Sequence, residues 1–243
     1  MSFKPRYAIS AIHLLIALGM TPCANAQWEG NWLIGVSGGL ALREGNFDLV
    51  INHQQGPTSS LTQNQEDNGL FGALFTGYQI RCNDWLMGVE LNVEWQDLGR
   101  DQESAFTNAL RQGTDIITRY SQTEVISLTG RFGYEIFPNF LPYIRAGIQT
   151  SRDRLDFFGV PIGGGAVDLE AKRRVYRFVG GFGVETPIPV LMGLSVRAEY
   201  NFQAKAGAIE TAGLGIDNGT LVSTSMRPST NVIFISAVIN LLN

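Results

Sequence analysis

The chain has 243 residues, of which 28 are glycine, and its formal net charge at pH 7 is −4. A chain that is acidic overall repels phosphate backbones, so the charge argues against nucleic acid as a partner. The many glycines and the short runs of alternating apolar residues indicate a single all-β domain. After the N-terminal segment, no run of about 18 apolar residues predicts a membrane-spanning helix.

The first 26 residues have the features of a cleaved secretory signal peptide. Two basic residues, Lys4 and Arg6, precede the mostly apolar residues 8–20, and Ala24-Asn25-Ala26 forms a small-x-small cleavage site. We therefore expect the mature domain to span residues 27–243, where 16 basic and 22 acidic residues give a net charge of −6.

Removal of the signal peptide leaves one cysteine, Cys82, and one histidine, His53. A single cysteine predicts that the mature chain has no internal disulfide. A single histidine argues against a metal site. The sequence accordingly predicts no catalytic residue, no cofactor-binding residue and no metal ligand.

Eight segments alternate between apolar residues and small or polar residues, as strands with two different faces do. In chain order, these predicted strands are residues 32–43, 70–81, 85–96, 122–136, 141–151, 174–186, 194–203 and 230–242. The third is the clearest, since one of its faces is wholly apolar and begins and ends in tryptophan. About 9–11 tilted residues cross a bilayer as a strand, and we expect Trp32, Trp85 and Trp95 to lie at the two interfaces.

The segments that join these strands are alternately long and short. We predict long loops at residues 44–68, 97–121, 152–173 and 204–229, with one or two helical turns at 104–111. The alternative, a soluble β-sandwich, gives no reason for every long connection to lie at one end. A transmembrane barrel does, because its periplasmic turns are short and its outer loops are long. The predicted fold is therefore an all-β, eight-stranded antiparallel up-and-down transmembrane β-barrel with both termini in the periplasm.

Three pieces of sequence carry a family resemblance. They are Gly77-Tyr78-Gln79 leading to Trp85-x-x-Gly88-Val89-Glu90, then Pro142-Tyr143-Ile144-Arg145-Ala146-Gly147, and Val196-Arg197-Ala198-Glu199-Tyr200. In this pattern the chain resembles the eight-stranded outer-membrane β-barrel family, typified by the transmembrane domain of outer membrane protein A and the opacity-type proteins. The resemblance implies an outer-membrane location and the barrel-assembly machinery as a partner. This chain departs from the family pattern by ending on Leu241-Leu242-Asn243 rather than on an aromatic residue.

Four charged residues fall on the small and polar face of the predicted strands: Glu90, Arg131, Arg145 and Glu199. Each lies four or five residues from a short turn, so we expect them at one height inside the barrel. Two acids then balance two bases, because isolated buried ions are costly. Two interpretations remain open. The cluster is a static plug that fixes the strand register, or a switchable plug that governs ion leakage, which resembles the interior gate proposed for outer membrane protein A.

Function on such a scaffold resides in its site and surface residues, not in the fold. The sequence predicts a non-enzymatic outer-membrane barrel that supports envelope integrity and presents four loops for surface interaction or adhesion. A narrow ion or small-solute channel is the first alternative. The second is a lipid A-modifying enzyme that uses His53, which has Asp48, Ser59 and Ser60 nearby in the sequence. No cofactor is expected. Besides a host or surface ligand, the expected partners are outer-membrane lipid and lipopolysaccharide, whose phosphates Arg173 and Arg174 could contact.

Overall fold

The computed structural model describes residues 29–53, 58–107, 113–159, 167–191, 193–214 and 220–241. Of His53, residues 104–107, residues 113–115 and Thr220, only the backbone is described. The predicted signal peptide lies outside these ranges. Within them, no helix is long and apolar enough to cross a membrane.

The described chain forms ten antiparallel strands that close into a ring of eight positions. The strands are β1 Glu29–His53, β2 Ser59–Cys82, β3 Trp85–Gln96, β4 Gln102–Thr107, β5 Gly113–Tyr134, β6 Leu141–Gly159, β7 Val167–Pro187, β8 Leu194–Gln203, β9 Ile209–Leu214 and β10 Thr220–Leu241. Two ring positions hold two short strands each, because β3 and β4 both pair with β5, and β8 and β9 both pair with β10. Pairing of β1 with β10 closes the ring. The predicted eight-stranded antiparallel barrel is confirmed.

The lower part of the barrel, which we call the membrane band, lies between the levels of Trp85 and Trp95 on β3. Its outward face is apolar, as Leu91 and Ile148 show with exposed fractions of 47% and 63%. Its inward face is buried and largely polar, as Asn92 and Gln149 show. This arrangement suits a strand that has lipid on one side and a packed lumen on the other.

The lumen of the membrane band has an apolar half and an ionic half. Beside β1, β2 and β10, Leu33 packs against Phe75 and Val238. The small residues of β1 make room for these rings, since a Cβ on Gly35 would lie 2.2 Å from the ring of Phe75. Beside β3 and β5 to β8, most inward side chains are charged or polar, as Glu90, Asn92, Arg145 and Gln149 show. Side chains thus fill the lumen, as expected of a barrel of eight strands.

Above the membrane band the polarity of the two faces inverts. On β1, Phe47, Leu49 and Ile51 are buried inward, while Asn46 faces solvent. β1 has 25 residues, which at about 3.4 Å each is far more than a membrane band roughly 25 Å tall requires. The strands therefore continue well beyond the bilayer. We call this upper part the projection.

The projection consists of two sheets that pack face to face. One contains β9 with the upper parts of β10, β1 and β2, and the other contains β4 with the upper parts of β5, β6 and β7. Among the described residues, no strand pairing joins β2 to β4 or β7 to β9. An apolar cluster fills the space between the sheets: Phe47, Leu49, Ile51 and Val222 from the first, and Ile116, Phe157 and Val167 from the second. The ring thus opens into a two-layer sandwich outside the membrane band.

The four predicted long loops are therefore wrong over most of their length. The predicted helical turns at 104–111 are also wrong where the chain is described, because Gln102–Thr107 is strand β4. The reason is the inverted polarity. The prediction required apolar residues on the outward face, and in the projection they lie on the inward face.

Cys82 ends β2, next to the short turn where Asn83 has a φ of 53°. No cysteine among the described residues is free, and Cys82 is disulfide-bonded to a partner outside the described ranges. The prediction of no internal disulfide concerns the mature chain, after residues 1–26 are removed, and it stays a prediction. It assumed that Cys23 leaves with the signal peptide.

The apolar outward face and polar inward face of the membrane band can be tested directly. Leu91 faces outward midway between Trp85 and Trp95, and Asn92 faces the lumen, 3.4 Å from Nη2 of Arg145. We expect Leu91→Arg to lower the free energy of unfolding by about 2–4 kcal/mol, since it places a charge near the middle of the bilayer. Asn92→Asp should cost less, because its carboxylate meets an arginine. Urea unfolding of the folded barrel in lipid vesicles measures both, and equal losses would contradict the assigned facing.

Candidate functional site

Six charged side chains meet in the ionic half of the lumen. They are Glu90 on β3, Arg131 on β5, Arg145 on β6, Glu185 on β7, and Arg197 and Glu199 on β8. All point inward because each occupies the inward phase of its strand. None is more than 7% exposed. We call this group the ionic network.

Four of these side chains form a closed ring of ion pairs. Arg131 contacts Glu90 at 2.9 Å and Glu185 at 2.7 Å. Arg197 contacts the same two carboxylates, Glu90 at 2.7 Å and Glu185 at 2.9 Å. Each carboxylate is therefore shared by two guanidinium groups, and residues from four ring positions are tied across the lumen.

Arg145 joins this ring to the sixth charge. It contacts Glu199 at 2.5 Å and lies 3.8 Å from Oε2 of Glu90. Tyr143 donates a hydrogen bond to Glu199, and its ring lies under the guanidinium of Arg131 at 4.0 Å. Ser195 donates to Glu185 at 2.7 Å. Neutral hydrogen-bonding and aromatic groups therefore surround the ion pairs.

The charges of the ionic network cancel, with three carboxylates against three guanidinium groups. Removing one buried partner leaves an uncompensated ion, whereas a complete set can be tolerated at little net cost. The network can therefore do two things chemically. It holds neighbouring strands in register, and it occupies the space through which an ion would have to pass.

The sequence predicted four members of this network, Glu90, Arg131, Arg145 and Glu199, and the structure brings those four together. Sequence reasoning missed Glu185 and Arg197. Both lie at inward positions of predicted strands, but they did not match the height of four or five residues above a short turn. Strands in a barrel are tilted and staggered, so counting from the turns does not give the height of a side chain. The alternation alone was the signal that could have found them.

A second polar cluster lies above the ionic network, at the base of the projection. Arg177 forms an ion pair with Asp153 and donates a hydrogen bond from Nη2 to the Tyr120 hydroxyl at 2.9 Å. Tyr120 also donates a hydrogen bond to Asp153. Arg43 donates to the backbone oxygen of Tyr120 at 3.1 Å and to Gln122 at 3.0 Å. Burial raises the pKa of the Tyr120 phenol, and the neighbouring Asp153 carboxylate raises it further.

The three predicted interfacial tryptophans lie near the ends of the membrane band. Trp32 is 53% exposed and packs edge-on against Tyr78 at 5.2 Å, near the short-turn end. Trp85 lies at the same end, 4.7 Å from the ring of Tyr134. Trp95 is 55% exposed and lies at the opposite end of β3. The membrane band is itself defined by the levels of Trp85 and Trp95, so the assignment of the three tryptophans to the two membrane surfaces stays a prediction.

His53 lies at the end of β1, where its backbone pairs with Thr220. Its side chain falls outside the described part of the structure. Asp48 accepts a hydrogen bond from Thr62 at 2.8 Å, across the β1–β2 pair. The predicted grouping of His53 with Asp48, Ser59 and Ser60 therefore stays a prediction.

Residues 10–223 match the profile of a protein family described as the outer membrane protein beta-barrel domain. No curated protein sequence matches the chain significantly. Among solved structures, the chain is similar to the outer membrane protease OmpT from Escherichia coli at 6% identity and a TM-score of 0.50, over 87% of this chain and 97% of that one. It is also similar to Neisserial surface protein A, with 13% identity, a TM-score of 0.36, and coverage of 84% and 97%. It is similar as well to the outer membrane protein OprG from Pseudomonas aeruginosa, with 15% identity, a TM-score of 0.44, and coverage of 86% of this chain and 96% of that one. Identities this low show the fold alone.

Proposed function

The chain belongs to the family of outer membrane protein beta-barrel domains, and from this premise we propose that it is a non-enzymatic, non-conducting barrel that holds a stiff projection above the outer membrane for surface contacts. Family membership places the protein in the outer membrane. In the proposed orientation, the short turns and both chain ends face the periplasm and the projection faces outward. Residues 1–26 would direct export, and the barrel-assembly machinery would insert the domain.

The observation that carries this proposal is the packed core of the projection. Flexible loops lose conformational entropy when they bind a partner, which lowers affinity. Two sheets joined by buried aromatic residues have lost that entropy on folding. Phe47 and Phe157 stack in this core with ring centroids 6.2 Å apart. The projection thus offers a preorganised surface, as an adhesive protein or a receptor-binding protein requires.

The outer surface of the projection carries both charge signs. On β5 to β7, Glu124 pairs with Arg152 at 2.7 Å and with Arg174 at 3.0 Å. Arg154 pairs with Glu170 at 3.1 Å. These exposed pairs lie just above the apolar outer face, where lipopolysaccharide phosphates would lie. Arg173 points away from Arg174 and donates to the backbone oxygen of Ala208 at 3.3 Å. Arg174, rather than the pair, is the candidate phosphate contact.

Adhesion can be tested with a shortened projection. Asn46 and Asn64 are register partners on β1 and β2, so replacing residues 47–63 by an Asn-Gly turn keeps the register of the remaining hairpin. Vesicles that carry the intact protein should bind host cells or envelope material more strongly than vesicles that carry the shortened protein. Both proteins should shift in mobility on gels when boiled, which verifies that each is folded. Equal binding by the two would contradict the proposal.

A narrow ion channel is the second candidate function. The observation that favours it is the position of Glu90, which lies within reach of three arginines and could exchange among them. A switchable network predicts that Glu90→Ala changes single-channel conductance, because Arg131 and Arg145 are released. A static plug predicts a conductance near zero for the native protein and for the variant. Planar-bilayer recordings of the folded protein distinguish the two, and we expect no channel activity.

The enzymatic alternative depends on His53. A lipid A acyltransferase or deacylase would lose activity in His53→Ala, and the lipid A of cells that express the protein would change accordingly. We expect the same lipid A profile with the native protein, with His53→Ala and without the protein. A difference between the native protein and the variant would support the enzyme.

A further inference from the structure

The barrel wall is interrupted between β3 and β5, at the upper edge of the membrane band. β3 pairs with β5 as far as Glu94 and Val125, and pairing resumes only where Gln102 of β4 meets Thr118. Between these points the Asp97 amide donates to the Leu70 oxygen of β2 at 2.9 Å, and the chain returns to β5 at Gly99, whose oxygen accepts a hydrogen bond from Arg119 at 2.8 Å. The wall therefore has a side opening, which we call the window.

The facing edge of β5 is also irregular. The register between β5 and β6 shifts between Thr123 and Ile126, and Glu124 has a φ of 51°. Few non-glycine residues adopt a positive φ, and bulges commonly lie where a strand stops pairing. The missing pairing thus coincides with a local change of backbone on β5.

The window contains a cavity of about 540 Å³. Its lining includes the outward side chains of Leu70 and Trp95, which are 66% and 55% exposed. It also includes the inward side chains of Glu94 and Gln122, both buried. The cavity is consequently apolar on the lipid side and polar on the lumen side.

Glu94 differs from the carboxylates of the ionic network. It is 9% exposed and accepts hydrogen bonds from Ser127 at 2.9 Å, Gln149 at 3.4 Å and Gln203 at 3.3 Å. Among the described residues, no lysine, arginine or histidine nitrogen lies within 4.0 Å of it. The ionic network balances its own charges, and the cluster above it has the guanidinium groups of Arg43 and Arg177 against one carboxylate, Asp153. Among the described residues, Glu94 is therefore a buried carboxylate with no cation in direct contact. A buried carboxylate is costly unless a positive charge accompanies it.

We propose that the window binds an amphiphile with a primary ammonium head group, which enters from the outer surface of the bilayer. The ammonium group donates hydrogen bonds to Glu94, and the alkyl chain lies against Leu70 and Trp95. Gly72 lines the outer mouth, and a Cβ there would meet only the Ser37 oxygen, at 3.9 Å. This free space admits the chain. The site goes beyond the proposed adhesive function and does not depend on it.

The test uses the full chain, folded in neutral phosphatidylcholine vesicles. Two brominated probes with the same alkyl chain, dibromododecylammonium and dibromododecanol, quench tryptophan fluorescence at short range. The ammonium probe should quench at a concentration about tenfold or more below that of the alcohol, as expected for a hydrogen bond to a charged group. Trp95→Phe should remove this difference, which locates the quenched residue. Equal quenching by the two probes would overturn the proposal and would mean that Glu94 is neutralised by a proton.

Two variants test the head group and the opening separately. Glu94→Gln should abolish the preference for the ammonium probe, whereas Glu124→Gln, an exposed carboxylate at the same window, should keep it. Gly72→Leu should block both probes. Gly130→Leu is its matched control, since Gly130 faces lipid on β5 with equal room and does not line the window. If Glu94→Gln fails to fold, the comparison of Gly72→Leu with Gly130→Leu still tests whether the probes enter through the window. Quenching of Gly72→Leu at the native probe concentration would refute the window as the entry site.

Discussion

Replacing Arg131 with alanine is expected to lower the free energy of unfolding by about 3–5 kcal/mol, because it leaves a buried carboxylate uncompensated. Arg131 contacts both Glu90 and Glu185. Without it, three carboxylates face two guanidinium groups. The double change Glu90→Gln with Arg131→Gln should cost less, although it removes more charge. Arg197 then still pairs with Glu185 and Arg145 with Glu199, so the remaining charges balance.

Urea unfolding of the folded barrel in lipid vesicles measures both losses. Arg81→Ala is the control, since Arg81 pairs with Glu135 at 2.8 Å but is 48% exposed. An exposed pair of this kind contributes about 0–1 kcal/mol. If the single and double changes at Glu90 and Arg131 unfold alike, the charges of the network are not coupled, and a plug that fixes the strand register is wrong.

Two strands could be predicted from the sequence to the residue, β3 at Trp85–Gln96 and β8 at Leu194–Gln203. Each lies wholly inside the membrane band, so one phase of alternation describes its whole length. The short turns were equally clear, because Asn83 and Asn139 tolerate the positive φ that a tight turn demands.

The long strands were predicted too short because their alternation changes sign. On β1, Leu42 is the last outward apolar residue before the polar run of Glu44, Asn46 and Asp48, and the buried inward residues from 47 to 51 are apolar. In the sequence, a strand was identified by its apolar outward residues. Above the membrane most outward residues are polar, so these parts of the strands were predicted as loops. The alternation of Phe47, Leu49 and Ile51 was visible in the sequence, but its environment was not.

The ionic network could be predicted in kind but not in membership. Alternation placed Glu90, Arg131, Arg145 and Glu199 inside the barrel, and the need for charge balance suggested that they pair. The stagger between strands decides which charges share a height, and it is a property of the closed barrel, not of any one strand. For that reason Arg197, which is fully buried and contacts two carboxylates, was not singled out.

Replacing Phe47 with alanine is expected to destabilise the projection by about 3–5 kcal/mol, because it leaves a cavity in a packed apolar core. Phe47 is fully buried and stacks on Phe157 of the opposite sheet. The loss should be local, since the ion pairs and lipid contacts of the membrane band do not include Phe47. Hydrogen exchange of the backbone amides in residues 44–53 and 152–159 measures the effect on both sheets. Gel mobility before and after boiling shows whether the membrane band stays folded.

Asn46→Ala provides the matched control, one residue away on the exposed face of the same strand. It should leave exchange in both segments nearly unchanged, because surface substitutions usually alter stability by less than about 0.5 kcal/mol. Faster exchange in residues 152–159 on changing Phe47 would show that the two sheets support each other. If Phe47→Ala and Asn46→Ala exchange alike, the two sheets do not pack through Phe47. The surface above the membrane is then a set of separate loops, and the preorganised surface on which the proposed function depends does not exist.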